Sequence, residues 1–142
     1  MKTNVDLHQL VECVGDAVIV ADANEKIILW NPAATRIFGY SEQEALEHTL
    51  DLIVPERQRQ KHNEGYSHSM ETGTTRYGTS LLKVPAKHKD GGTLSIAFTV
   101  GMLFDASGKA TGVVAIIRDE TERFAQERAL KKRISELENP QA

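Results

Sequence analysis

The side chains best placed to do chemistry in this chain are His62, Tyr66 and Met70, which recur every four residues. In a helix this spacing puts all three on one face. The segment lies between Pro55 and Gly73, residues typical of a helix start and stop. From Glu56 to Met70 its only large apolar residues are Tyr66 and Met70, so it lacks the wide apolar stripe of a core helix. It could leave room beside His62 for something flat, such as a cofactor. It could equally be a loosely packed, solvated helix with His62 on its surface.

The composition is that of one ordinary globular domain, with 142 residues of which 40% are hydrophobic and 26% are charged. The net charge of −3 argues against a general nucleic-acid binder. No apolar run reaches the ~18 residues of a membrane span, and the N-terminus has no apolar signal region. The single cysteine, Cys13, has no partner for a disulfide, and we expect it to be buried. These features predict a cytoplasmic protein.

The rest of the chain predicts an α+β domain. Strand patterns cover 17–21, 26–30, 77–87, 93–104 and 112–118. Helical patterns cover 6–14, the segment from Asn31 to Gly39, a turn opening at Ser41, the His62 segment, and everything from Glu120 onward. We therefore divide the chain into an N-terminal helical cap (1–15), a core (16–119) and a C-terminal helix (120–142).

Five short segments, in this order, resemble a PAS sensory domain over about residues 7–121. They are Asp16–Val20, Ile28–Ala34, Ile37–Ser41, Lys87–Gly92 and Gly112–Thr121. The resemblance implies the PAS fold, which is a five-stranded antiparallel sheet with short helices on one face and flanking terminal helices. It also implies a pocket for a small molecule or cofactor. A sensor of this kind passes its signal through a flanking helix to a downstream effector domain or kinase.

The resemblance is most specific to the heme-binding PAS domains of the FixL and DOS oxygen-sensor type. In those domains a helix with a Pro-Glu…Arg…His pattern carries the proximal iron ligand, and His62 matches that histidine. The spacing from His62 to Asp90-Gly91 also matches without a gap. The implied cofactor is heme b with His62 on the iron, and the implied signal is a diatomic gas or the redox state. By the same resemblance, Arg76 and His68 match positions that meet heme propionates.

The remaining predicted cofactor-binding residues would line the pocket: Tyr66, Tyr77, Leu82, Phe98, Val100 and Ile116. Two features of the family are missing. Leu82 stands where FixL-type domains have a distal arginine, and Ser80 stands where DOS-type domains have a methionine ligand. Tyr77 could donate a hydrogen bond to a bound gas, or it could merely begin a strand.

Other functions remain open at this point. Trp30 could stack on a non-covalent flavin, although a tryptophan at a strand end more often packs in the core. Cys13 is not in the Asn-Cys-Arg setting of light-sensing flavin domains. A small organic ligand would leave His62 as a pocket or surface group, and so would a cofactor-free dimerisation module. The chain has no phosphate loop, GxSxG or HExxH motif, so we do not expect an enzyme.

The C-terminal helix is the expected output element. Leu130, Ile134 and Leu137 have coiled-coil spacing over only about one and a half heptads, whereas a coiled coil normally has three or four. The helix could be the stub of a longer signalling helix, or it could fold back on its own domain. We expect a parallel homodimer through this helix and the N-terminal one.

Overall fold

The computed structural model describes residues 4–75 and 77–139. The five strands are β1 (Ala17–Asp22), β2 (Ile27–Trp30), β3 (Leu82–Lys87), β4 (Thr93–Phe104) and β5 (Ala110–Asp119). The five α-helices are α1 (Leu7–Cys13), α2 (Pro32–Phe38), α3 (Glu42–Ala45), α4 (Arg59–Thr72) and α5 (Thr121–Glu138). Two short 3₁₀ turns, Leu50–Leu52 and Glu56–Gln58, precede α4.

The strands form one five-stranded sheet in the order β2-β1-β5-β4-β3. Every neighbouring pair is antiparallel, which confirms the predicted α+β architecture. The strand predicted over 77–87 is too long at its start, because β3 begins only at Leu82. Tyr77 lies instead in a turn before β3, and Gly78 adopts a positive φ of 57° there. The prediction that Tyr77 begins a strand is therefore wrong.

One face of the sheet, called the inner face here, carries the core. Ile19 pairs with Ala115, and Ala115 pairs with Val100, so these three residues stand in one row on this face. Side chains from α2, α3 and the segment after α3 pack against it. The buried cluster consists of Ala17, Ile19, Ile27, Trp30, Ala34, Phe38, Ala45, Ile53, Ala86, Ile96 and Ile117.

The buried side chain of Asn31 joins three elements. Its Oδ1 accepts hydrogen bonds from the amides of Val18 (2.9 Å) and Ala34 (3.1 Å), and so caps α2 as predicted. Its Nδ2 donates to the carbonyls of Val11 (2.9 Å) and Asp16 (3.1 Å). One amide therefore ties α1 and β1 to the start of α2, which satisfies its hydrogen-bonding groups in the core.

Coverage of the inner face declines toward β3. Val84 is 39% exposed, although its pairing with Ile96 puts it on the core side. Phe98, Val100 and Met102 on β4 are only half-buried. These residues and Leu82 form a strip of apolar surface that the helices do not fully cover. We call the residues Leu82, Val84, Phe98, Val100 and Met102 the apolar strip.

The start of α5 is attached to β4. The amide of Ser95 donates to Thr121 Oγ1 at 2.9 Å, and the amide of Glu120 donates to the Ser95 carbonyl at 2.8 Å. The Thr121 hydroxyl donates to Asp119 Oδ1 at 2.6 Å. Beyond this junction α5 buries none of its residues. The helix therefore does not fold back on its domain, which excludes one of the two interpretations of its sequence.

Two further features of the terminal segments bear on the predictions. Cys13 is exposed at the end of α1, so the expectation that it would be buried is wrong. α1 is amphipathic in sequence, yet it leaves Leu7 and Leu10 largely exposed. None of the helices in the described part of the chain is long and apolar enough to cross a membrane.

Candidate functional site

The helix that carries His62 is α4, and it begins later than its sequence predicts. A 3₁₀ turn follows Pro55, and regular helix starts only at Arg59, whose Nε donates to the Val54 carbonyl at 3.0 Å. The helix ends at Gly73, which has the left-handed φ of 72° typical of a C-terminal glycine. Tyr66 is the one buried residue of α4. As the sequence indicates, this helix contributes very little to the core.

Tyr66 attaches α4 to the end of β1. Its hydroxyl lies 2.6 Å from the carbonyl oxygen of Asp22 and 3.1 Å from that of Ala21. Burial raises the pKa of the Tyr66 phenol, and the negative charges of Glu25 and Asp22 raise that pKa further. The hydroxyl therefore stays protonated and remains a hydrogen-bond donor to the β1 end.

His62 lies one helical turn before Tyr66 and faces the turn between β1 and β2. Its Nδ1 is 3.0 Å from Oε1 of Glu25, and the side chains of His62 and Glu25 are 36% and 15% exposed. Both of these atoms are buried, and neither makes a hydrogen bond of good geometry to a described residue. The rings of His62 and Tyr66 are 6.2 Å apart between centroids. The imidazole is thus paired with a carboxylate through Nδ1.

Glu25 holds an unusual backbone conformation. Its φ of 65° is the one positive φ among the described residues other than glycine, and an L-residue in that region is strained by about 1–2 kcal/mol. Hydrogen bonds hold it on both sides: its amide donates to the Asp22 carbonyl at 3.0 Å and its carbonyl accepts from the Leu50 amide at 3.1 Å. Asp22 Oδ1 also accepts from the amides of Asn24 and Lys26. Glu25 is not among the site residues that the sequence predicts.

The sheet brings three of the predicted pocket residues together and separates a fourth. Leu82 pairs with Phe98, and Val100 lies two residues further along β4, so all three belong to the apolar strip. Ile116 pairs with Thr99 and therefore points to the opposite, outer face of the sheet. The prediction that Ile116 lines the same pocket is wrong, because its two chain neighbours occupy the inner face.

The remaining predicted site residues are His68, Tyr77 and Arg76. His68 is exposed on a different face of α4. A groove of about 390 Å³ there is lined by Asn63, Glu64, Ser67, His68 and Glu71, and does not include His62. The amide of Tyr77 donates to Thr75 Oγ1 at 3.0 Å, and its side chain is partly exposed. Arg76 lies outside the described residues.

In the part of the chain that the structure describes, side chains alone do not form a metal centre. Across residues 4–75 and 77–139, no group of three or more His, Cys, Asp or Glu side chains could hold a metal ion. An iron that arrives in a porphyrin is different, because the macrocycle supplies most of its ligands and the protein adds an axial one. A lone histidine such as His62 is therefore chemically sufficient for heme but not for a bare ion.

Trp30 is part of the core and does not border an open site. It is fully buried, and its Nε1 donates to Thr35 Oγ1 and to the Tyr40 carbonyl, both at 3.1 Å. Its ring packs against Phe38 at a centroid distance of 5.7 Å. Stacking of Trp30 on a flavin, left open by the sequence, is incompatible with this packing.

A model of the PAS fold matches residues 6–119 of the chain. The chain belongs to the PAS family. Solved PAS structures agree with this fold. The PAS domain of a protein from Colwellia psychrerythraea superposes with a TM-score of 0.69 at 20% identity, covering 82% of this chain and 95% of that one. An RNA-binding Light-Oxygen-Voltage receptor also superposes with a TM-score of 0.69, at 18% identity, covering 91% of this chain and 36% of that one.

Two curated relatives of this PAS domain are named as sensors. Sensor protein FixL of Bradyrhizobium diazoefficiens is 30% identical over 131 residues, which cover 92% of this chain and 26% of that protein. Oxygen sensor protein DosP of Escherichia coli is 27% identical over 108 residues, covering 76% of this chain and 13% of that protein. The PAS domain thus spans about a quarter or less of each. It is a PAS sensory domain.

Proposed function

We propose that this PAS domain binds heme b through His62, senses a diatomic gas or the redox state of the iron, and signals through α5. One observation carries this proposal. His62 Nδ1 lies 3.0 Å from the Glu25 carboxylate, so Nε2 is the nitrogen left for a metal. Histidines that ligate metals almost always donate their other ring N–H to a carboxylate, a carbonyl or water.

Two features of the described residues support the proposal of a bound porphyrin. A neutral imidazole is a common axial ligand of heme iron, and His62 is not part of a packed core. The half-buried apolar strip on β3 and β4 offers the large apolar surface that a macrocycle covers. When bound, heme supplies an iron at which a gas ligand or an electron can act. His62 would hold that iron, and the residues of the apolar strip would exclude water from the macrocycle.

The pairing of His62 with Glu25 also separates this proposal from its alternatives. A small organic ligand in the apolar strip would require no particular orientation of His62, and a cofactor-free dimerisation module would require none either. The relatives named Sensor protein FixL and Oxygen sensor protein DosP support the same interpretation. The PAS domain spans about a quarter or less of each relative. The existence of a downstream effector domain or kinase is therefore inferred by analogy with FixL and DosP.

We further propose that the sensor is a homodimer whose terminal helices carry the contact. Leu130, Ile134 and Leu137 of α5 are all exposed. Ile134 falls at a heptad a position with the two leucines at d positions, the combination that favours two parallel strands. In that register Arg133 faces Glu138 of the second copy, an attractive g-to-e pair. The exposed apolar residues of α1 would extend the contact.

We expect this sensor to be located in the cytoplasm and to have no catalytic activity of its own. Cys13 is a free, exposed thiol, which suits a reducing compartment. The histidine and the carboxylate that the fold brings together are arranged to orient a ligand. No nucleophile is placed beside them among the described contacts.

A hemin titration tests the proposal. We expect wild-type protein to give a sharp Soret band that saturates near one heme per chain. His62→Ala should lose the band, whereas His8→Ala, which replaces an exposed histidine of α1 outside the proposed site, should keep it. If wild type gives only the broad band of free hemin, the heme proposal fails, and extraction of a bound organic molecule would then identify the alternative.

A further inference from the structure

We infer that Glu25 is the positioning residue for His62. Its carboxylate accepts the Nδ1 proton of the imidazole, fixes the ring so that Nε2 faces the iron, and strengthens His62 as an electron donor. The effect of Glu25 on the iron rests on the proposed function, because it requires that His62 binds heme. The orientation of the His62 ring can be measured without heme. Glu25 was not among the predicted site residues.

The contact brings Nδ1 of His62 and a carboxylate oxygen of Glu25 to hydrogen-bond distance, and neither atom has another hydrogen-bond partner among the described residues. Oε1 of Glu25 and Nδ1 of His62 are 3.0 Å apart, and both atoms are shielded from solvent. The Glu25 side chain is the more buried of the two, at 15% exposed. A carboxylate removed from water is a stronger hydrogen-bond acceptor than an exposed one. The pair can therefore fix one tautomer and one ring orientation.

The backbone of Glu25 indicates that its side chain is needed at this position. A φ of 65° favours glycine or asparagine, and a glutamate there is strained. Strained residues of this kind cluster at functional sites, where the surrounding structure holds them in place. A glutamate at the end of this turn is thus better explained by the carboxylate it delivers to His62 than by the turn itself.

Both partners are anchored, so the pair has little freedom to drift. The Glu25 backbone is bonded to Asp22 and to Leu50, and the neighbouring Lys26 bridges to Thr49. On the helix side, Tyr66 fastens α4 to the carbonyl of Asp22 one turn after His62. Functional groups are held in a productive geometry by supporting contacts of this type.

A negatively charged acceptor on Nδ1 raises the basicity of the imidazole. A more basic axial ligand favours ferric over ferrous iron, and it also holds the iron more tightly. Loss of an outer partner of this type typically costs 10–100-fold in metal affinity. We therefore expect Glu25 to influence both the retention of heme and its reduction potential.

Two variants and a matched control test the inference. Glu25→Gln keeps an acceptor but removes the charge. Glu25→Gly removes the acceptor, and it suits the positive φ, so the fold should survive. Glu12→Gln is the control, because Glu12 also lies near a histidine, 3.7 Å from His8, but on the exposed surface of α1.

The first readout is the tautomer of His62 in the heme-free protein, measured by ¹⁵N NMR of the imidazole at pH 8.5. We expect the Nδ1–H form in wild type, in Glu25→Gln and in the control, and its loss in Glu25→Gly. If Glu25→Gly leaves the tautomer unchanged, or if wild type lacks the Nδ1–H form, the inference is overturned. This result does not depend on whether heme binds.

The second set of readouts is measured on the hemin-loaded protein: the rate of hemin loss and the reduction potential. Transfer of hemin to a scavenger should be about 10–100-fold faster from Glu25→Gly. In Glu25→Gln the ratio of ferric to ferrous affinity should fall about tenfold, a rise of about 59 mV in the one-electron potential. Wild-type values in both variants would overturn the inference. If wild type shows the Nδ1–H form but takes up no hemin, the proposed function fails while the orientation of His62 by Glu25 stands.

Discussion

The hydroxyl of Tyr66 lies 2.6 Å from the carbonyl oxygen of Asp22, which fastens the middle of α4 to the last residue of β1. β1 pairs with β5 along its whole length, from Ala17 to Asp22. β5 in turn leads directly into α5. A displacement of α4 at His62 therefore has a continuous structural route to α5, the proposed output helix, through one hydrogen bond and two paired strands.

Tyr66→Phe should destabilise the protein by about 1 kcal/mol, because it removes the hydroxyl that donates to the carbonyl oxygens of Ala21 and Asp22. Urea unfolding followed by circular dichroism measures the change. Tyr40→Phe is the control, since it keeps both the carbonyl that accepts from Trp30 and the ring beneath Lys89. Equal stability of Tyr66→Phe and wild type would mean that α4 is held by other contacts.

The raised pKa of Tyr66 predicts a loss of stability in alkali. The unfolded chain releases the phenolic proton above a pH of about 10, whereas the folded chain retains it. The stabilisation is therefore fully present below pH ~10 and declines above it, by up to about 1.4 kcal/mol per pH unit. The unfolding free energy should fall more steeply between pH 10 and 11 in wild type than in Tyr66→Phe. Identical slopes would show that the phenol ionises freely in the folded protein.

The junction of β4 with α5 predicts a local effect of Thr121→Val. This near-isosteric change removes the oxygen that accepts from the Ser95 amide and donates to Asp119. We expect a loss of about 1 kcal/mol, and hydrogen exchange several-fold faster in the first turn of α5. Exchange in the sheet core should change little. Ser135→Ala, further along the same exposed helix, should leave the first turn as protected as in wild type.

The exposed apolar residues of α5 predict self-association. Ile134→Asp should raise the dimer dissociation constant at least tenfold, because it puts a charge at the centre of the proposed seam. Sedimentation velocity over a concentration series measures this. Ala129→Asp adds the same charge at an outward position of the helix and should have little effect. A monomeric wild-type protein, or equal effects of the two variants, would contradict dimerisation through α5.

The sequence predicted those parts of the fold whose signals are local. The limits of β4 match the prediction, because its large residues alternate with smaller ones from Leu94 to Met102. The caps at Asn31 and Ser41 are also confirmed, since a cap is a contact between near neighbours. The strand predicted from Tyr77 failed because the turn at Gly78 overrides the strand preference of the residues around it.

The candidate site depends more on tertiary structure. Ile116 lies in a continuous apolar run on β5, where periodicity cannot distinguish the inner from the outer face, so only the register with its neighbours does. Glu25 is far from His62 in sequence, and no local pattern connects them. Its one sequence signal is a glutamate at the end of a polar turn, where glycine or asparagine is the usual residue.

The ligation of iron by His62 is tested most directly by removing the imidazole and supplying it again. His62→Gly, with its fold checked by circular dichroism, is titrated with hemin in the presence and absence of free imidazole. We predict that the wild-type Soret band is lost in the variant and restored when imidazole is added. A variant that keeps the wild-type heme spectrum without imidazole would contradict the account.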